Sequence, residues 1–450
     1  MKKQLAMLLV LAIVLSVLAG CGSTSSSTAT PEPTATPEET TVDANAENES
    51  AEEKVTIRFA HQWAEENRLP YWTALVEGYM AEHPNVTIET EVMPNETYKE
   101  KIRIMLGGTD MPDLFFTWDG EWVKRFAQNG TILDLTPYLT EDPEFHQAFN
   151  QGILTTGQVD GKQYSLPIRT CVNFVLYNTA IFEEYNISVP KTWDEFMNVC
   201  EVLKENNITP IALGDAEQWA AAHYISALNV QLVPLATIED DYYLVTGAFE
   251  DPGYVQALQL LKDMSEKGYF MDGMPSTSQN IAKEMFAAGQ TAMIYDQCAS
   301  FKTQYYDKME EGSWDIFPLP VVDGASGDLD MMVAWIDQFA VSSQCKHPEV
   351  VMDFLKYFYS VENQKKMQQE IGFVSCVNAA SADSSDSFPQ LIKAMDIING
   401  CKGFISVLDV EMDGAVAGVY QASIQELFTT KTPEQVMQDV QKEAQRVMSE

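Results

Sequence analysis

The chain divides into three stretches by its apolar pattern. Lys2 and Lys3 are followed by an almost unbroken apolar run up to Leu18-Ala19-Gly20-Cys21. Residues 22–53 then contain no aromatic residue, no Lys and no Arg. From Lys54 onward the pattern becomes periodic. Val55 to Ala60 alternates as a strand does, with side chains on opposite faces. Pro70 to Glu82 places Trp72, Leu75, Val76, Tyr79 and Met80 at helical spacing, and His83-Pro84-Asn85 ends it. Val86 to Val92 predicts a second strand, Thr97 to Leu106 a helix closed by Gly107-Gly108, and Pro112 to Phe116 a buried third strand. Strand, helix, strand, helix, strand with short joints predicts an α/β fold with a parallel sheet.

The alternation continues less regularly. Val172–Tyr177, Pro210–Leu213 and Gln290–Tyr295 read as strands. Tyr254–Lys267, Asn280–Ala288, His347–Tyr359, Val361–Glu370 and Pro433–Met448 read as helices. Thr192-Trp193-Asp194-Glu195 reads as a helix start, with Glu195 placed for a capping box.

The first two stretches describe an address. Two lysines, a short apolar segment and small residues before a cysteine predict a secretory signal peptide over residues 1–20. The segment is short of the roughly 20 residues a membrane span needs. Leu18-Ala19-Gly20-Cys21 resembles the lipobox of bacterial lipoproteins. That implies cleavage before Cys21, lipidation of its thiol and display on the extracellular face of the cell membrane. Residues 21–53 are then a lipid-anchored tether. Its Ser, Thr, Pro and eight acids cannot bury enough apolar surface to order it.

Composition narrows the function. The formal charge is −38, and removing Lys2 and Lys3 makes it −40, which argues against nucleic acid as a partner. Seven cysteines occur; beyond Cys21, the other six have wide spacings and no CxxC. Free buried thiols fit most of them, with one or two disulfides allowed, and zinc has no support. There is no Gly-x-Ser-x-Gly elbow, His-Glu-x-x-His or Walker loop, so no catalytic set, metal site or cofactor is expected.

Several segments together carry a family resemblance. They are Met111–Phe116 followed by Phe126–Leu135, Gly161–Pro167, Leu176-Tyr177-Asn178, Pro190–Phe196, Phe286–Met293 and Phe317-Pro318-Leu319-Pro320. In this order and spacing, residues 54–450 resemble the extracellular solute-binding proteins of ABC importers, in the maltose-binding-protein-like group that takes sugars. The resemblance implies a two-lobed periplasmic-binding-protein-like fold whose chain crosses the hinge three times, near Arg169, near Trp335 and around residues 385–395. Residues 54–169 and 336–388 would form lobe 1, and 170–335 and 389–450 lobe 2. It also implies a monomer that holds a carbohydrate in the cleft and delivers it to a membrane permease. The rivals are a polyamine-binding or other polar-solute-binding protein of the same fold, and a secreted glycan hydrolase.

A pyranose offers an apolar C–H face and a rim of hydroxyls, so it needs aromatic planes and polar edges. In open sheets, ligands bind beyond the carboxyl ends of strands. Trp63 and Glu66 follow the first strand, and Trp118, Asp119 and Glu121 follow the third. The resemblance puts Trp118 and Glu121 at sugar-contacting positions. Arg169, Trp335 and Asp337 lie at expected hinge crossings, and Trp219 and Asp296 follow second-lobe strands. These ten are the expected ligand contacts. Trp72, Trp193 and Trp314 are expected in the core. Gln297 and Ala299 stand where family members often have Gly and Trp, and Val416 where the maltose-binding relative has a stacking Trp.

Overall fold

The computed structural model describes residues 54–105, 110–381 and 387–450. The expected signal segment, Cys21 and the tether lie outside the described residues. Eleven strands are assigned: β1 (Val55–His61), β2 (Val86–Val92), β3 (Leu114–Trp118), β4 (Gln158–Val159), β5 (Lys162–Gln163), β6 (Ser165–Asn178), β7 (Thr209–Ala212), β8 (Thr291–Gln297), β9 (Trp314–Phe317), β10 (Met331–Val341) and β11 (Gly403–Ile405).

Lobe 1 is built on β2-β1-β3. β1 runs parallel to β2 from Val55 opposite Val86 to His61 opposite Val92, and parallel to β3. Helices Leu69–Glu82 and Pro348–Phe358 bury their apolar stripes on this sheet. Trp72 is buried there, as its helical spacing predicts. Lobe 2 is built on β8 and β7, which pair in parallel, with helices Trp193–Glu205, Trp219–Leu232 and Pro252–Glu266 around them. Trp193 and Trp314 are buried in it.

Two long strands join the lobes. β6 pairs with β10 over Ser165–Val172, then with β8 and β9 over Asn173–Asn178. β10 pairs with β3 over Asp337–Val341 at one end and with β11 over Met331–Val333 at the other. Val377 is bridged to Phe149 in lobe 1, and Pro389 opens a helix anchored on β9 by Gln390 donating to Trp314 O; residues 382–386, on the approach to the expected third crossing, lie outside the described residues. The fold is therefore two α/β lobes on a shared nine-stranded mixed sheet, hinged at an antiparallel strand pair.

One expected boundary needs correction, one helix went unread, and the open question of disulfides closes. β6 starts seven residues before the strand read from the sequence, because Pro167 disguises its first half. The register of β6 against β10 shifts between Asp337 and Gln338, the residue opposite Pro167, so a residue without an N–H is accommodated at an irregularity. The helix at Trp219–Leu232 gave no amphipathic signal because all its residues after Trp219 are buried. Finally, all six cysteines in the described residues are free thiols.

Candidate functional site

The hinge pair has two faces, and each floors a cleft between the lobes. Arg169, Trp335 and Asp337 point to one face; Thr170, Ala334 and Ile336 point to the other. We call them front and back. The carboxyl ends of β1, β2, β7 and β8 all lead into the front, through Trp63, Asn95, Trp219 and Gln297. The front cleft encloses about 260 Å³ and the back about 950 Å³. Across the front, Asn67 of lobe 1 donates to Thr303 O of lobe 2 at 3.1 Å, and Arg68 donates to Ala299 O at 3.0 Å. The lobes are thus engaged, in a closed arrangement.

Strand alternation sorts the expected contacts. Trp118, the last residue of β3, lies opposite Asp337 and shares its face, so it enters the front. Asp119 is one residue on and turns to the back, where its Oδ2 accepts from Ile336 N at 3.0 Å. Glu121 follows it there, paired with Lys124 at 3.5 Å and Arg125 at 3.2 Å. Asp119 and Glu121 therefore do not reach the site their neighbour Trp118 forms, contrary to expectation.

Two other expectations fail for local reasons. Asp296 has both oxygens occupied, by Lys283 Nζ at 3.0 Å and Tyr305 Oη at 2.7 Å, and does not line the front cleft. It is a structural carboxylate. Glu66 is exposed; Glu65 reaches the front wall instead, with a buried Oε2 that has no hydrogen-bond partner. The turn Ala64–Leu69 explains this, since the amides of Arg68 and Leu69 both donate to Glu65 O and aim its side chain inward.

Trp63 lines the front but is 1% exposed, and Trp72 covers one of its faces with rings 4.2 Å apart and 6° from parallel. It is a floor residue rather than a free stacking plane. Of the other indoles lining the front, Trp219 is partly exposed and Trp118 and Trp335 are buried. Gln218, in the left-handed region at φ 67°, swings the chain so that Trp219 opens the next helix facing the cleft. His223, one turn along, lies between Trp219 (5.2 Å between centroids) and Trp335 (5.0 Å). Burial pushes its pKa down to about 4, so the ring is neutral at pH 7. Its Nδ1 lies 3.0 Å from Asn173 Nδ2, a donor, which leaves the hydrogen on Nε2 facing Asp409 Oδ1 at 3.7 Å.

The hinge itself is pinned on the front by Arg169, whose Nε donates to Asp337 Oδ2 at 2.6 Å with both side chains buried. Burial works against the guanidinium's charge, and Asp337 more than reverses it, holding the pKa above the ordinary arginine value. The guanidinium also lies 3.7 Å over the Phe373 ring.

The front cleft keeps unmatched polar atoms of both kinds. Buried donors without a hydrogen-bond partner are Trp63 Nε1, Arg68 Nε, Arg169 Nη1 and Trp219 Nε1. Buried acceptors in the same condition are Glu65 Oε2, Gln297 Oε1, Asp337 Oδ1 and Asp409 Oδ1. Sequence reasoning missed Glu65, Arg68, Lys99, Glu217, His223 and Asp409. Glu217 stands two residues before Trp219 and could have been found with it; Asp409, in an unmarked stretch, gave no signal.

A model of the bacterial extracellular solute-binding protein family matches residues 63–365, well over half of the chain. The chain belongs to that family. This solute-binding protein is 22% identical over 362 residues to the multiple sugar-binding protein of Streptococcus mutans, covering 77% of the chain and 81% of the relative. It is 21% identical over 388 residues to the melibiose/raffinose/stachyose-binding protein MelE of Bacillus subtilis, covering 83% and 82%. Among solved structures, a chitin oligosaccharide binding protein superposes with a TM-score of 0.82 at 24% identity, over 88% of this chain and all of that one. At that identity the superposition speaks for the fold. Members of the family bind solutes outside the cell.

Proposed function

We propose that this solute-binding protein captures a short oligosaccharide in the front cleft and delivers it, in the closed form, to an ABC permease. One observation carries the reading: the unmatched buried atoms of the front cleft are balanced, four donors against four acceptors. A hydroxyl both donates and accepts, so a polyhydroxyl ligand can satisfy such a wall. A polyamine would leave the donors unmatched, at a cost of about 1–3 kcal/mol for each buried group. The indoles of Trp118, Trp219 and Trp335 supply planes for pyranose C–H faces. The enclosed volume of about 260 Å³ lies just below the roughly 300–1,000 Å³ usual for small-molecule sites, which favours a short saccharide over a long chain. Ligand contacts to both lobes favour closure by their differential affinity for the closed state.

The address completes the reading. Lipidation at Cys21 would hold the monomeric protein on the outer face of the cell membrane, with residues 22–53 letting it reach the permease. Cys21→Ala should release a protein that still binds its solute; membrane retention of that variant would contradict the anchor.

A thermal-shift and calorimetric panel of raffinose, mannobiose, chitotriose and xylotriose, with spermidine in parallel, tests the ligand class. At least one saccharide should raise Tm, and Trp335→Ala should abolish the shift. No saccharide shift, together with a spermidine shift that Trp335→Ala removes, would assign the front cleft to a polyamine instead.

A further inference from the structure

The back cleft has a different chemistry. Its wall carries Asp119 and Glu121 from lobe 1 and Glu239 and Glu411 from lobe 2, with Lys124 as the one basic side chain among its described lining residues. The two sets of acids meet closely. Gly120, at φ +58°, lies so near the other lobe that a Cβ there would come 2.9 Å from Glu411 Oε2 and 2.9 Å from Val410 O. Tyr243 donates its hydroxyl to Glu411 Oε1. Lys124 is already engaged by Glu121, and Arg125, just outside, is shared between Glu121 and Asp413.

One side chain points into this space independently of the carboxylates, and one of the acids is itself unmatched. Asp119 is 5% exposed and its Oδ1 has no hydrogen-bond partner; Ser406 is 8% exposed and its Oγ has none. Both line the same cleft. Beside them stand two aromatic rings open to solvent, Tyr243 at 49% and Phe404 at 39% exposure. Buried acceptors, facing acids and open aromatic faces are the recognition elements for an organic ammonium ion. Among the described residues, no group of three or more His, Cys, Asp and Glu is arranged to hold a metal ion.

We infer that the back cleft is a second binding site, taking a protonated alkylamine between Asp119 of lobe 1 and Glu411 of lobe 2. The site exists only while the lobes are engaged, because its acids come from both. A cation there offsets the repulsion between acids of the two lobes. The inference does not depend on what the front cleft holds.

The test is calorimetric titration of the full chain with spermidine at 150 mM salt, in wild type, Asp119→Asn, Glu411→Gln and Trp335→Ala. Asparagine can still accept from Ile336 N, so Asp119→Asn should fold, and a wild-type Tm for either acid variant qualifies it for reading. The expected result is saturable binding at one site, at least about tenfold weaker in each acid variant and unchanged in Trp335→Ala. Three results would overturn the site: no saturable binding, equal binding in wild type and both acid variants, or loss in Trp335→Ala. The last would move the amine to the front cleft and sink the oligosaccharide reading with it. A saccharide result without any amine binding would remove the back site alone.

Discussion

The two clefts share a floor one strand thick and differ in almost everything else. The front wall mixes five acids (Glu65, Glu96, Glu217, Asp337, Asp409) with four bases (Arg68, Lys99, Arg169, Lys283). Among the described residues, the back wall has acids and a single lysine. In a chain of net charge −38 with only 28 basic residues, four bases in one small cleft stand out against the average surface. The front is charge-balanced and nearly filled by its own side chains, and the back is open and acidic. The contrast teaches that a hinge-bending protein holds two sites of opposite accessibility. In this closed arrangement one face of the hinge is narrow and mixed in charge, and the other carries carboxylates from both lobes.

The most damaging way to break the comparison is to remove what both faces stand on. Asp337→Ala would leave Arg169 as an uncompensated buried cation at the centre of the hinge. Removing one partner of such a pair costs about 3–5 kcal/mol. Urea denaturation should show that loss, and both clefts should lose ligand affinity together. Stability within 1 kcal/mol of wild type would mean that the pair does not organise the hinge.

A sharper cut separates the faces. Trp335→Ala and Trp219→Ala remove front aromatic planes without touching the back wall. Each should weaken solute binding by about 2 kcal/mol or more, a factor of roughly 30. Calorimetry with whichever saccharide shifts Tm would read it. Unchanged affinity in both variants would mean the solute does not stack on these two indoles.

How far the sequence discloses these faces depends on what each residue's neighbours are. Strands β1 to β3 and the helix Leu69–Glu82 were legible because a sheet or helix with one buried side writes its period into the chain. The helix carrying Trp219 and His223 was not, because burial on all sides erases the period. β10 was hidden for the related reason that Asp337 and Gln338 are both fully buried within it, held by Arg169 and Ser165 across the strand pair. The candidate site was legible to the nearest element but not to the nearest residue. Trp118 and Asp119 are adjacent in sequence and lie on opposite faces of the hinge, and only the register of β3 against β10 decides which is which. Glu65 and Glu66 differ in the same way, through the turn that follows β1.

Acidity should move the two faces in opposite directions. Burial, with Glu411 close by, raises the carboxyl pKa of Asp119; burial also raises that of Glu411. Carboxyls whose pKa is raised on folding contribute stability below their ordinary pKa, and that contribution is lost as pH rises through the folded values. His61 and His223 are lowered by burial, to about 3 and about 4. Their contribution is present above the ordinary histidine pKa and is lost as pH falls toward those values. The Asp119→Asn/Glu411→Gln double variant should therefore gain stability relative to wild type between pH 5 and 8, on the order of 1 kcal/mol. His223→Gln should flatten the loss between pH 6.5 and 5. Urea titrations at pH 5, 6.5 and 8 would show both, and parallel curves for wild type and the double variant would mean the back carboxyls titrate as they do in the unfolded chain.

The smallest expected effect is the finest test of how the front wall is assigned. Glu65 and Glu66 have the same chemistry and differ only in direction, so their glutamine variants isolate placement from charge. Glu65 Oε2 is buried beside the cleft, while Glu66 is exposed. Glu65→Gln replaces that acceptor's charge and loosens its 3.6 Å pairing with Arg68, the residue that reaches across to Ala299 O. Solute affinity should fall severalfold, by about 1 kcal/mol. Glu66→Gln removes an equal charge one residue away and should change neither affinity nor stability by more than about 0.5 kcal/mol. Equal losses in the two variants would mean that the field of the acidic surface governs binding, and not the wall of the cleft.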